Sequence, residues 1–230
     1  MYTKRHQNTE NGRSDPMTSI NEEYITSYIR ELTPKRSELL SSMEEYAKKE
    51  NIPIIEPEVA QLIKTLVTMN KPKNVLEVGT AIGYSAILIG ESLKGDWHIT
   101  TLERSPKMIE KAYENIEKAG FKDKIKVIEG DALITFPHLS AKYDFIFIDA
   151  AKGHYLEFFS YAVKLLVPGG IILSDNVLYK GMVATDKLVV RRKRTIVNRL
   201  REYLSHINSI DGFISSVIPL GDGVAITYKE

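Results

Sequence analysis

Apolar positions along the chain change period near residue 70. Between residues 19 and 70 they recur every three or four places: Ile20, Tyr24, Ile25, Tyr28 and Leu32, then Leu39, Leu40, Met43 and Tyr46, then Val59, Leu62, Ile63 and Leu66. That spacing gathers them on one stripe of a helix, so three helices are predicted before the first strand. From Asn74 onward short β-rich runs (NVLEV, HITTLE, KIKVIE, YDFIFID, GGIILSD) alternate with the helix-length segments SAILIGESL, PKMIEKAYENIEKAG and HYLEFFSYAVKLL. Such alternation predicts βαβ units and a parallel sheet covered on both faces. A further helix is predicted at about 187–208, followed by GFISSVIPL and GVAITYKE. Gly221-Asp222-Gly223 between those two runs predicts a turn, which makes them an antiparallel hairpin closing the sheet. The expected fold is α/β, a mostly parallel seven-stranded sheet behind a cap of N-terminal helices.

The 230 residues, 43% hydrophobic and 27% charged, suit one domain over residues 19–230. Residues 1–18 (MYTKRHQNTENGRSDPMT) have neither an apolar core nor a cleavage pattern, so a disordered extension is expected, with Met17 a candidate natural start. No apolar run approaches the ~20 residues of a membrane span, and no membrane partner is expected. Cysteine is absent, which excludes disulfides, thiolate zinc sites and cysteine nucleophiles and fits a cytoplasmic protein. Any metal must therefore rest on oxygen or imidazole. The five histidines form no H-x-x-x-H pair, which disfavours zinc.

Candidate chemistry collects at the strand ends. The first strand runs into Gly79-Thr-Ala-Ile-Gly83-Tyr-Ser85, where glycines let the backbone approach a ligand closely. A dinucleotide loop needs G-x-G-x-x-G, and only Gly79 and Gly83 are present, so a nucleoside without a pyrophosphate fits better. Taken alone, the same glycines also fit a plain structural turn. Glu103 ends the second strand, where a carboxylate can take both ribose hydroxyls, and Asp131 follows the third, where it can accept from an adenine amino group. Three polar punctuations at three successive strand ends share one edge of the sheet.

EVGTAIGYSA, TLER, GDA, FIDAAKGHY and LSDNVLYKG together resemble the S-adenosylmethionine-dependent, cation-dependent O-methyltransferases of the catechol and caffeoyl-CoA type, over about residues 19–230. The resemblance implies a Rossmann-like class I methyltransferase fold and a homodimer. Within that family the chain is most similar to the bacterial tRNA 5-hydroxyuridine methyltransferases, through NIPIIE, VGTAIGYSA, DAAKGHY, DNVLYKGMVA and the basic run that follows. It further implies that Gly79, Ser85, Glu103, Asp131 and Ala132 line the cofactor pocket, with Asp149 beside them and Ile55 closing over the methionine end with its backbone groups.

Asp149 ends the fourth strand and Asp175-Asn176 the fifth, so a crossover returns three oxygen donors to one edge. Two carboxylates and an amide suit Mg²⁺, with Mn²⁺ as a substitute. The residues alone also fit a capping Asp149 and a turn at Asp175-Asn176; the DAAK and SDN registers of the resemblance favour the cation. Lys152, three residues after Asp149, is the candidate base: desolvation and a neighbouring divalent cation both favour a neutral lysine, and the acceptor oxygen then attacks the sulfonium methyl in line.

The acceptor is read from charge. Lys and Arg number 31 against 30 Asp and Glu, a net +1 that by itself argues against nucleic acid. Residues 187–201 nevertheless hold seven of those positive charges (Lys187, Arg191, Arg192, Lys193, Arg194, Arg199, Arg201) and no acid, leaving 24 basic against 30 acidic elsewhere. A basic patch on an acidic body is the footprint for grasping a phosphate backbone. With the subgroup resemblance, the expected reaction is methylation of the 5-hydroxyl of 5-hydroxyuridine at the wobble position of a tRNA anticodon loop, giving 5-methoxyuridine. Arg191, Arg192 and Arg194 are the candidate phosphate contacts, and Tyr179 and Lys180 the candidate substrate contacts. Tyr84 and Tyr155 are further candidates for stacking. The alternative acceptor is a small catechol-like or caffeoyl-type phenol, which offers the same pair of adjacent oxygens.

Overall fold

The computed structural model describes residues 20–230. The expected extension at residues 1–18, with Met17, lies outside them. Three helices come first: α1 (Glu23–Leu32), α2 (Glu38–Glu50) and α3 (Pro57–Asn70). Then follow β1 (Asn74–Val78), α4 (Tyr84–Ser92), β2 (His98–Glu103), α5 (Pro106–Lys118), β3 (Ile125–Glu129) and the single turn α6 (Ala132–Thr135). The chain continues through β4 (Tyr143–Ile148), α7 (Tyr155–Leu165), β5 (Leu166–Ser174), α8 (Arg194–Ile207), β6 (Phe213–Ile218) and β7 (Val224–Lys229).

The seven strands form one sheet in the order β3-β2-β1-β4-β5-β7-β6. β1 to β5 run parallel, while β7 pairs antiparallel with both β5 and β6. The direction of winding reverses between β1 and β4, and a crevice opens at such a switch point beyond the carboxyl ends of the strands.

Alternation along the strands divides the core between two faces. On one, Val75, Ile99, Phe145, Phe147 and Leu173 pack against α2, α3, α4 and α5. On the other, Leu76, Val78, Leu102, Ile146 and Ile148 pack against α7 and α8. An acidic residue enters this pattern at Glu77, fully buried at a position where the alternation calls for an aliphatic side chain.

One predicted element needs correction. The helix expected over about 187–208 begins only at Arg194, after two short 3-10 turns at Asp186–Leu188 and Arg191–Lys193. Val189 and Val190 interrupt the stretch, and a helix N-terminus repels the cations that crowd there. Four of the seven cations, Lys187, Arg191, Arg192 and Lys193, thus lie on the 3-10 turns ahead of the helix. Among the described residues no helix is long and apolar enough to cross a membrane.

Candidate active site

Each strand-end loop is bonded to the neighbouring strand. The amides of Gly79 and Thr80 donate to the Leu102 carbonyl, Gly130 to Glu103, Asp149 to Val78 and Asp175 to Ile148. Ladder hydrogen bonds therefore continue past the strands and set the loops at fixed heights around one cavity of about 500 Å³, a volume suited to a small organic ligand. Its walls include Pro53, Ile54, Glu56, Gly79, Glu103, Arg104, Asp131, Ala132, Asp149, Lys152, Phe158, Asp175 and Asn176. A larger hollow of about 670 Å³ lies between α5 and the starts of β2 and β3, and none of these residues reaches it.

Gly79 sits at φ +107°, and a Cβ there would come 3.0 Å from the Asp149 carbonyl carbon, with the carbonyl oxygen nearer still. Only glycine permits that approach of the β1 loop to the β4 loop. Glu103 is held from behind: one carboxylate oxygen accepts from the Ala81 amide at 3.0 Å, the other from Arg104 and Ser105 at 2.9 Å each. Those bonds fix the carboxylate plane, and an ionised carboxylate retains lone pairs for a ligand. Asp131 is the N-cap of α6, accepting from Leu133 at 2.9 Å, and Arg104 stands 3.7 Å from its second oxygen. Capping and cavity lining coexist in this one side chain.

Asp149, Lys152, Asp175 and Asn176 meet at the other end of the cavity. The Lys152 Nζ donates to Asn176 Oδ1 at 2.7 Å, and the Asp175 carboxylate accepts from the Asn176 amide at 2.6 Å. Asn176 has φ 55°, a left-handed conformation that Asn tolerates better than most residues. Burial raises the pKa of both aspartates, and repulsion from Asp149 adds to the effect on Asp175, which reaches about 8. Lys152 opposes the rise in both. Two desolvated carboxylates beside an amide oxygen are a donor set in want of positive charge, which fits a hard divalent cation. Among the described residues no three Asp, Glu, His or Cys side chains cluster as a metal site; here two carboxylates stand beside the side-chain oxygen of Asn176.

Several expected residues are placed elsewhere. Ser85 does not line the cavity: its hydroxyl donates to buried Glu77, which also accepts from Thr101 at 2.5 Å, and Thr101 in turn lies 2.6 Å from the Thr80 hydroxyl. Burial lifts Glu77 to about 7 against the opposing effect of those hydroxyls. Ile55, expected to contribute backbone groups, packs its side chain into the core, and its flanking residues Pro53, Ile54 and Glu56 line the cavity. Tyr84 and Tyr155 are buried and have no free face for stacking; the Tyr84 hydroxyl donates to Glu44 and that of Tyr155 to the Asp175 carbonyl. Tyr179 and Lys180 lie on the loop after Asn176, outside the cavity wall, with Lys193 over the Tyr179 ring at 5.5 Å.

The seven cations of residues 187–201 also separate by role. Arg199 donates to the Gly153 carbonyl at 2.8 Å, which ties α8 to the turn carrying Lys152. Arg201 bonds the Val183 carbonyl at 3.0 Å and Asp186 at 2.8 Å. Lys187, Arg191, Arg192 and Arg194 are exposed, and among the described residues their side chains make no ion pair. Sequence reasoning missed Glu56, Arg104 and Phe158 in the wall and Glu77 beneath it. For Glu77 a signal existed, an acid inside the apolar run NVLEV.

The chain is similar to known proteins over most of its length. An O-methyltransferase family model matches residues 30–230. A catechol O-methyltransferase from Niastella koreensis is 32% identical over 170 residues, 71% of this chain and 77% of its own length. Caffeoyl-CoA O-methyltransferase 3 from Nicotiana tabacum is 28% identical over 96% of this chain and 98% of its own. Among solved structures, an O-methyltransferase from Bacillus cereus in complex with SAH superposes with a TM-score of 0.79 at 27% identity, covering 90% of this chain and 97% of that one. With the match spanning nearly the whole described chain, the protein belongs to the O-methyltransferase family.

Proposed function

We propose that the protein transfers the methyl group of S-adenosylmethionine to one oxygen of an acceptor bearing two adjacent oxygens, with catechol-like and caffeoyl-type phenols as the acceptor class. The observation that carries this reading is the shared cavity: Glu103 and Asp131 at one end, and Asp149, Lys152, Asp175 and Asn176 at the other, face a single space. The names of the similar catechol and caffeoyl-CoA enzymes support the same acceptor class.

Glu103, fixed by three backbone amides, takes the ribose hydroxyls, and Asp131 takes the adenine amino group. Asp149, Asp175 and Asn176 would hold Mg²⁺ or Mn²⁺. Such a cation supplies charge that lowers the pKa of an adjacent hydroxyl. Lys152, oriented by Asn176, receives the acceptor proton, and the cavity walls hold the oxygen in line with the methyl carbon.

A second reading, methylation of 5-hydroxyuridine in tRNA, rests on one observation. Lys187, Arg191, Arg192 and Arg194 stand exposed on the segment that follows the Asn176 loop. An anticodon loop offers unstacked bases that such a patch would bring to the cavity. Labelled methyl transfer to a panel of phenols and to bulk tRNA, with and without chelator, separates the two. Transfer to phenols that chelator abolishes is expected; chelator-insensitive transfer would refute the cation. If tRNA is methylated, Arg191, Arg192 and Arg194 neutralised together should reduce its binding about tenfold or more at low salt and flatten the salt dependence. An unchanged salt slope removes the patch from the interface.

The same reading includes a homodimer. α1 buries none of its residues and leaves Tyr24, Tyr28 and Leu32 exposed at 72, 62 and 65%. A second copy would cover this apolar face. Sedimentation equilibrium is expected to show twice the chain mass, and Tyr28→Glu to lower it; a monomer for the unaltered chain refutes the dimer.

A further inference from the structure

The loop after Asn176 adopts a backbone its own residues do not favour. Asn176, Tyr179 and Lys180 have φ of 55°, 45° and 56°. A bulky residue in the left-handed region is strained, and two in succession persist only where surrounding contacts over-determine them.

Those contacts come from the β6–β7 turn, about forty residues further along the chain. The amide of Val177 donates to the Gly223 carbonyl at 2.9 Å and that of Leu178 to the Asp222 carbonyl at 3.0 Å. The Lys180 amide donates to the Asp222 carboxylate in a short bond. Gly223 itself sits at φ +87°, and a Cβ there would come within 2.7 Å of the Leu178 Cβ. The turn is held in place by the Gly223 amide, which donates to the Leu220 carbonyl at 2.8 Å. The hairpin tip is therefore a template against which residues 177–180 are cast.

We propose that Asp222 is a positioning residue: by accepting the Lys180 amide it holds the left-handed loop that keeps Asn176 opposite Lys152. The inference rests on the methyl-transfer reading above for the importance of that pairing. Asp222 does not line the cavity; its carboxylate is near enough to Lys152 and Asp175 to interact with both through charge, but the contact it makes is with the Lys180 amide of the loop. What it supplies is a hydrogen-bond acceptor at a fixed place. An asparagine can supply the same acceptor from a side chain of nearly the same shape, whereas alanine leaves the Lys180 amide to water and the strained loop to relax.

The experiment measures amide hydrogen exchange over residues 176–185 together with steady-state kinetics, using the full chain with Mg²⁺, S-adenosylmethionine and catechol, or bulk tRNA if only RNA is methylated. Asp222→Ala should raise exchange in that segment about tenfold or more and lower kcat by a similar factor, with KM for S-adenosylmethionine changed less than about twofold. Asp222→Asn should restore most of both. Unchanged exchange in Asp222→Ala overturns the template. Raised exchange with unaltered kcat overturns the positioning role, as does Asp222→Asn failing in the same way as Asp222→Ala. Two parallel measurements separate the failures: no methyl transfer by the unaltered chain refutes the methyl-transfer reading, full turnover in Lys152→Ala refutes only Lys152 as the base, and in either case the exchange data still judge the loop.

Discussion

Lys152→Ala is expected to lower the single-turnover rate of methyl transfer by about 10²–10⁴ while leaving S-adenosylmethionine affinity within a factor of about two. The range is that of a positioned general base. The selectivity follows from the layout of the cavity: Glu103 and Asp131 belong to the β2 and β3 loops, whereas Lys152 follows β4 and bonds Asn176 after β5. Removing the ammonium also takes a positive charge away from Asp149 and Asp175, whose pKa values it holds down. In the metal-free variant both carboxylates should then keep their protons to higher pH. Calorimetric cofactor titration and quenched-flow transfer at saturating Mg²⁺ read the two effects separately. Unchanged turnover at saturation would sink the assignment of Lys152 as the base.

Gly79→Ala should be the most damaging glycine-to-alanine change among the described residues. The new Cβ would collide with the Asp149 backbone carbonyl, at a φ of +107° that an L-residue disfavours even in open space. Neither partner can yield cheaply, since β1 and β4 are adjacent central strands paired through Val78 and Ile148. Steric overlap against backbone, added to the conformational strain, predicts a loss of about 3 kcal/mol or more. Because the displaced group is Asp149, cofactor and cation binding should weaken even where the fold survives. Gly95→Ala is the control: its φ is +78°, and a Cβ there meets nothing within 4 Å. Strain without collision should cost about 1 kcal/mol. Thermal melts of the two variants decide the matter, and equal shifts would show that the close approach of the two loops has no energetic consequence.

Much of the site was legible along the chain because its residues stand at strand ends, and strand ends are marked locally. The apolar runs NVLEV, HITTLE and YDFIFID each stop at a glycine or an acid, and in a parallel sheet those stops share one edge. Glu103, Asp131, Asp149, Asp175 and Asn176 could therefore be placed around one space before any coordinates existed. The same logic failed where a residue's role depends on what lies across from it. Ser85 follows the glycine loop as a cofactor residue would, but the turn of α4 aims its hydroxyl at Glu77. Tyr84 and Tyr155 face the interior, because each begins a helix whose first turn packs on the sheet.

The basic run shows the limit of composition most clearly. Seven cations without an acid read as one patch, yet Arg199 and Arg201 are engaged with carbonyls and an aspartate, and most of the remainder sits on 3-10 turns ahead of α8. Charge count cannot distinguish a cation that holds two loops together from one that waits for phosphate. Gly221-Asp222-Gly223 likewise reads as a hairpin turn and nothing more; that it shapes the loop after Asn176 appears only when β7 is laid antiparallel against β5.

By itself the sequence determined the elements, the parallel sheet with its closing hairpin, and the edge on which the chemistry gathers, because periodicity and strand-end punctuation are local. Only the tertiary structure decided which donor meets which acceptor: Lys152 with Asn176, Glu77 with Ser85 and Thr101, Lys180 with Asp222. Those pairs depend on strand register and helix rotation across segments eight to forty-two residues apart, and a shift of one residue along β1 or β2 would turn Glu77 or Thr101 to the opposite face of the sheet.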